Sequence, residues 1–238
     1  MSDRTKELLF VKPFNNSSLN PYSFQEQGLT KIIKLIKIMR TWLTNIQWCP
    51  GCGDTLIIAA IKKAFQELEI ESHERVVVSG VGCSGKASQY IDGYAAETLH
   101  GRTLPFATGV KMSNPELTVL ATGGDGDGYG IWMGHFIHAC KRDLNITYIV
   151  MDNENYALTT GQASPTTPIG AKTKTTPDGN LSAPFDPVKI AQQAGCKFAK
   201  WADSVKFMEM KDIIKEAIQH DGFSLVNVHQ ACPSYKRW

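Results

Sequence analysis

Residues 117–130 read LTVLATGGDGDGYG, and residues 146–153 read ITYIVMDN. The first stretch is an apolar run that stops in glycines and two aspartates. The second is another apolar run, ending in Asp152 and Asn153. Between them, residues 130–141 carry a helical pattern. Strand, glycine-rich turn, helix and strand make a unit whose two strands lie parallel and are covered on both faces. Glycines at such a turn let backbone amides approach a phosphate, and a helix N-terminus favours negative charge. Asp125 and Asp127 would repel a bare phosphate. They make sense if a divalent cation stands between the protein and a pyrophosphate, because Mg2+ takes oxygen ligands and commonly combines carboxylates with phosphate oxygens. Asn153, 28 residues after Asp125, offers a further oxygen at the end of the adjoining strand.

The same alternation extends outward. Residues 54–68 read as a helix with Asp54 as its N-cap. Residues 75–79 (RVVVS) read as a buried strand and 86–98 as a helix. Further on come a short helix at 187–194, a weak strand at 197–201, a helix at 206–219 and a final strand at 223–229 (FSLVNVH). This predicts an α/β fold, a mostly parallel sheet with helices on both faces. Residues 159–186, rich in Thr, Pro and Gly, are long for a plain connection, and such loops are usually functional. Residues 46–238 form the expected domain. Residues 1–45 precede it as an arm and an amphipathic helix. In that helix Lys31, Lys34, Lys37 and Arg40 interrupt Ile32, Ile33, Leu35, Ile36, Ile38 and Met39, so bases and apolar residues take opposite faces. Such a helix meets a membrane surface or a partner, or lies on its own protein.

Composition excludes several classes. Of 238 residues, 42% are hydrophobic and 20% charged, which rules out wholesale disorder. Lys plus Arg number 25 against 23 Asp plus Glu, so charge gives no reason to expect nucleic acid. No apolar run is long enough for a transmembrane helix. The opening MSDRTKELLFVKPF lacks the pattern of a secretory signal, and the expected compartment is the cytoplasm. There, six cysteines are not read as disulfides. Cys49 and Cys52 lie in WCPGCGD, Cys83 in GVGCSGK and Cys232 in ACPSY, all at ends of elements that can converge on one sheet edge. Cys140 and Cys196 read as core thiols. Four convergent thiolates bind zinc or an iron–sulfur cluster. One Cys-x-x-Cys with two distant single cysteines favours the cluster without proving it.

The strand–GDG–helix–strand–Asn layout resembles the diphosphate motif of thiamine diphosphate enzymes. That resemblance implies Mg2+ bound by Asp125, Asn153 and the backbone carbonyl of Asn155. More widely, WCPGCGD, GVGCSGK, LHGR (99–102), GGDGDGYG, DNENYALTTGQ (152–162) and ACPSY (231–235) occur in the order and form of the β subunit of 2-oxoacid:ferredoxin oxidoreductases. The resemblance covers residues 46–235. It implies the diphosphate-binding half of a thiamine diphosphate-binding fold, with a 4Fe-4S cluster on Cys49, Cys52, Cys83 and Cys232. It also implies oxidative decarboxylation of a 2-oxoacid, acyl transfer to coenzyme A, and electrons passed to ferredoxin. His100 and Lys86 take the catalytic roles. Ser84, Lys86, His100, Gly124, Asp125, Gly126, Asp127, Asn153, Leu158 and Thr159 contact the cofactor. The carboxylate that activates thiamine lies on an α subunit, so a hetero-oligomer, αβ or (αβ)2, is expected. Thr160 departs from the Lys or Gly that relatives often carry near the substrate. Asn155 replaces an aliphatic residue, and the sequence ends six residues after Cys232. Residues 100–180 resemble the 2-oxoglutarate branch more than the pyruvate branch. The rivals are a non-redox thiamine diphosphate lyase subunit with structural zinc, and a zinc-stapled interaction module.

Overall fold

Every residue of strand β4 (Ile146–Asp152) is buried, as a strand at the centre of a sheet covered on both faces must be. The computed structural model describes residues 46–236, so the expected arm and amphipathic helix at 1–45 lie outside the described residues. Beside β4 run β1 (Arg75–Ser79), β2 (Tyr94–Glu97), β3 (Thr118–Gly124), β7 (Phe198–Asp203) and β8 (Phe223–His229). The order is β2-β1-β3-β4-β8-β7, and every pairing is parallel. A separate antiparallel pair, β5 (Asn155–Tyr156) and β6 (Gln162–Ala163), opens the long loop. No described helix is long and apolar enough to cross a membrane.

Alternation along the strands feeds two apolar layers. Ile149 and Met151 join Val77, Leu120, Val226 and Val228 under helix α1 (Gly53–Glu67) and helix α6 (Phe207–Gln219). Those helices contribute Ile57, Ile61 and Phe65, and Met210 and Ile214. Tyr148 and Val150 face the other way, with Val78, Ala121 and Leu225. They pack against α3 (Thr103–Ser113), α4 (Met133–Arg142) and α5 (Pro187–Gln193). Each fully buried Ile, Leu or Phe contributes roughly 1.5–3 kcal/mol of transfer free energy. Cys140 and Cys196 lie buried in this second layer, as core thiols should.

The chain leaves β1 toward β2 on one side and later returns to β3 on the other. The order therefore reverses at β1/β3. In an open parallel sheet, the crevice beyond the strands' carboxyl ends at such a reversal is where ligands bind. Four motifs stand at that edge: Gly80–Lys86 after β1, the GDG turn after β3, Asn153 after β4 and Gln230–Cys232 after β8.

Several local expectations need correction. Residues 86–98 form only the short helix α2 (Ala87–Tyr90) and then strand β2. His100 and Arg102 therefore follow a strand and lead into α3. Helix α1 begins at Gly53 with Cys52 at its N-cap, so Asp54 is a first-turn residue and not the cap. The expected helix at 130–141 starts at Met133, preceded by a π-helical turn over Gly126–Gly130 and by Trp132 in the left-handed region.

Candidate functional site

Asp125 directly follows strand β3 and is 1% exposed. The hydroxyl of Thr166 lies 2.8 Å from Asp125 Oδ2 and also 2.8 Å from Asp152 Oδ1. One hydroxyl proton cannot satisfy two carboxylates. Burial first, then the Asp152 charge, push Asp125 up to about 8. Asp152 is raised too, chiefly by burial. A carboxylate pair short of positive charge, beside buried oxygens, suits a divalent cation. Those oxygens come from the turn after β4. Asn153 Oδ1 accepts from the Asn155 amide at 3.1 Å, and Asn155 Nδ2 donates to the Asn153 carbonyl at 2.8 Å. Glu154, at φ 61°, makes the bend between them. Asn155 Oδ1 is buried with no hydrogen-bond partner. The Asn155 carbonyl accepts from the Ala157 amide at 3.1 Å and keeps a second lone pair. Thr166 was not singled out by sequence; its only signal was its place in the long loop.

Asp127 is employed differently from Asp125. Its Oδ1 accepts from the amides of Gly101 (2.8 Å) and Val81 (3.2 Å) and lies 3.1 Å from His100 Nδ1. Its Oδ2 accepts from the Thr103 hydroxyl at 3.3 Å. Asp127 thus stitches the segments after β1 and β2 to the glycine turn. It also anchors the His100 ring through Nδ1, so that Nε2 is the nitrogen left free of that contact. Arg102 is drawn away toward α4. Its guanidinium lies 3.8 Å from the Trp132 ring centre and donates to His135 Nε2 at 3.2 Å.

The glycines of the turn have intramolecular reasons. A Cβ on Gly126 would stand 2.2 Å from the Tyr156 ring, and one on Gly128 would stand 2.4 Å from the Tyr148 hydroxyl. Gly124 is different: its Cβ would stand 3.2 Å from Ser84 Oγ, so the Ser84 loop closes on the GDG turn. Leu158 and Thr159 form an exposed rim, where Thr159 Oγ1 and Gln162 Oε1 lie 2.6 Å apart. Lys86 belongs to another neighbourhood. Its ammonium donates to the Gln47 carbonyl at 3.1 Å and acts on the Asp54 carboxylate.

That neighbourhood contains the cysteines. The Gly53 amide donates to the Ala231 carbonyl at 3.0 Å, and Trp48 Nε1 donates to the Cys83 carbonyl at 2.7 Å. Three distant segments are thereby joined. Cys49, Cys52, Cys83 and Cys232 are all unpaired. Burial, and next the Asp54 charge, raise Cys52 and push Cys83 up to about 11; Cys83 also responds to Cys232 and Cys49. Among the described residues no three Cys, His, Asp or Glu side chains are drawn into a finished metal site. The thiols share one region without converging on a point. Asp54 lies 1% exposed beside them, with both carboxylate oxygens unpartnered, and burial pushes it up to about 7.

Comparison with known proteins agrees with this layout. Residues 80–228 match the family model of the thiamine pyrophosphate enzyme C-terminal TPP binding domain. The chain is 44% identical, over 84% of its length and 74% of the relative's, to "2-oxoglutarate synthase subunit KorB" of Archaeoglobus fulgidus. It is 44% identical, over 82% of its length and 65% of the relative's, to "2-oxoacid:ferredoxin oxidoreductase 2, subunit beta" of Aeropyrum pernix. It superposes with a TM-score of 0.79 and 38% identity on a 2-oxoglutarate:ferredoxin oxidoreductase from Magnetococcus marinus, solved with 2-oxoglutarate, coenzyme A and succinyl-CoA bound. That match covers 80% of this chain and 66% of the other, so the relatives carry sequence beyond what is found here. The thiamine pyrophosphate-binding domain, together with 44% identity to such subunits over more than four fifths of the chain, makes this chain a member of the β-subunit family of 2-oxoacid:ferredoxin oxidoreductases.

Proposed function

We propose that the chain is the cofactor- and cluster-bearing β subunit of a CoA-acylating 2-oxoacid:ferredoxin oxidoreductase, with 2-oxoglutarate favoured over pyruvate. The carrying observation is that adjacent residues on one short turn face both chemistries. Ser84 closes on Gly124 of the diphosphate turn, while Cys83 lies among the thiols. Thiamine diphosphate would supply the electron sink for decarboxylation, and a 4Fe-4S cluster the one-electron relay to ferredoxin. Asp125, Asn153 and the Asn155 carbonyl would hold Mg2+, a role that the crowded carboxylates and the second lone pair of the Asn155 carbonyl suit. Gly124, Gly126, Leu158 and Thr159 line the cofactor's place. His100, held by Asp127 through Nδ1, presents Nε2 to a developing oxyanion. Lys86 serves the cysteine side electrostatically. Cys49, Cys52, Cys83 and Cys232 would carry the cluster; they are unpaired and lie on segments that hydrogen bonds tie together.

A dicarboxylate substrate has support at Thr160. The Lys174 ammonium donates to the Thr160 hydroxyl at 2.7 Å, placing a cation beside a position where relatives often carry Lys or Gly. An α subunit would supply the thiamine-activating carboxylate and coenzyme A would take the acyl group, in an αβ or (αβ)2 assembly. A reducing compartment, the cytoplasm, suits six unpaired thiols.

The test is anaerobic co-purification with the α partner, followed by metal and thiamine diphosphate analysis. About four irons per chain, with bound cofactor, support the reading. One zinc and no iron would establish the non-redox lyase reading instead.

A further inference from the structure

Two polar side chains reach the Cys-x-x-Cys sulfurs from one segment. Gln230 Nε2 donates to Cys52 Sγ at 3.0 Å, and Ser234 Oγ donates to Cys49 Sγ at 3.1 Å. Gln230 is 1% exposed, and its own amide is fastened to the Asp152 carbonyl at 2.8 Å. The intervening backbone is also clamped. The Ala231 carbonyl takes the Gly53 amide at 3.0 Å, and the Ala231 amide donates to Ser204 Oγ at 3.3 Å. A Cβ on Gly53 would stand 2.8 Å from the Ala231 nitrogen, so no looser packing is available. The backbone that carries Gln230 is thus held on both sides, while among the described residues its side-chain Oε1 is buried without a hydrogen-bond partner, so the bond from Nε2 to Cys52 Sγ is the one contact that orients the side-chain amide.

We propose that residues 230–234 form a redox-tuning clamp, in which Gln230 and Ser234 donate hydrogen bonds to the Cys52 and Cys49 sulfurs and raise the reduction potential of the centre those thiolates carry. The proposal rests on the iron–sulfur reading above. One-electron reduction adds negative charge to the cluster and its thiolate sulfurs. An N–H or O–H dipole aimed at sulfur stabilises the reduced form more than the oxidised form, so losing it makes the potential more negative. Both residues are positioning residues; neither touches the substrate.

The experiment compares the wild-type αβ complex with Gln230→Met, Ser234→Ala, Ser234→Thr and the Gln230→Met/Ser234→Ala double variant, all purified anaerobically. Iron content is measured first. The midpoint potential then comes from dithionite titration followed by electron paramagnetic resonance. Gln230→Met and Ser234→Ala should each shift the midpoint negative at unchanged iron content. The double variant should shift further, and Ser234→Thr, which keeps the hydroxyl, should match wild type. Exchange of the wild-type complex into D2O should move the iron–sulfur stretching bands in resonance Raman spectra, and the double variant should show a smaller movement. If Gln230→Met fails to assemble, Ser234→Ala and the deuterium effect decide the matter. Fully loaded variants with the wild-type midpoint overturn the clamp alone. A wild-type complex without iron overturns the iron–sulfur reading and the clamp with it.

Discussion

Asp127 gathers Gly101, Val81, Thr103 and His100 around one buried carboxylate. Its substitution separates positioning from cofactor binding. Asp127→Asn replaces an acceptor-only group with an amide and loosens the His100 ring. In steady-state assays of the αβ complex it should lower kcat by about 10–100-fold, the scale seen when the partner of a functional histidine is removed. Mg2+-dependent thiamine diphosphate binding should change far less. Lys174 supports the opposite pattern. With the Lys174→Met variant, KM for 2-oxoglutarate should rise about tenfold, the worth of one exposed charge-assisted contact, while kcat/KM for pyruvate stays level. Equal losses on both substrates would remove Lys174 from substrate choice. Asp125 and Asn153 stand out in the sequence as a candidate pair because their spacing and strand ends mark them. The contrast between Asp125 and Asp127 was not. It depends on which way each carboxylate turns, and in sequence they differ by only two positions.

Among elements, the glycine turn is tightly constrained. Gly126→Ala drives a methyl into the Tyr156 ring, at 2.2 Å. The ring must swing off the turn, and overpacking of this kind costs about 1–3 kcal/mol. Thermal unfolding should show the loss as a lower Tm. At the far end of the following helix, Asp143 caps α4 at φ 52° and accepts from the Phe223 amide at 2.9 Å. Its hydrogen bond with the Lys197 ammonium, more than any other partner, holds its carboxyl below the usual carboxylate range. A carboxylate depressed in the folded state contributes stability that is present above its unfolded pKa and is lost as pH falls through the folded value. Asp143→Asn tolerates the same backbone conformation. It should therefore show a Tm deficit near pH 7 that closes below about pH 4. Of the elements, the buried strands were legible, since runs such as ITYIVM admit little else. Strand β2 was not: YAAE (94–97) is short, half-buried and at the sheet edge, and its β-structure comes from pairing with β1. Helix α3 carries a proline and a glycine and was passed over; its place is secured by packing on β1 and β3.

For the whole molecule, the expectation concerns the shared active site proposed above. If an α subunit supplies the activating carboxylate, the chain purified alone should show no 2-oxoacid-dependent dye reduction, and addition of the α subunit should restore it. Native-rate turnover by the lone chain would refute a shared active site. Sequence alone determined the class of fold and the chemistry within reach. Buried parallel strands, the GDG turn and four thiols at strand ends or a helix start follow from periodicity and residue type, and these properties are local. Only the tertiary structure decided the partners: Thr166 between Asp125 and Asp152, Asp127 under His100, Lys174 on Thr160, and Gln230 on the Cys52 sulfur. These contacts join residues between 14 and 178 positions apart along the chain. Which side chains meet there follows from sheet order and loop closure, and no local pattern encodes either.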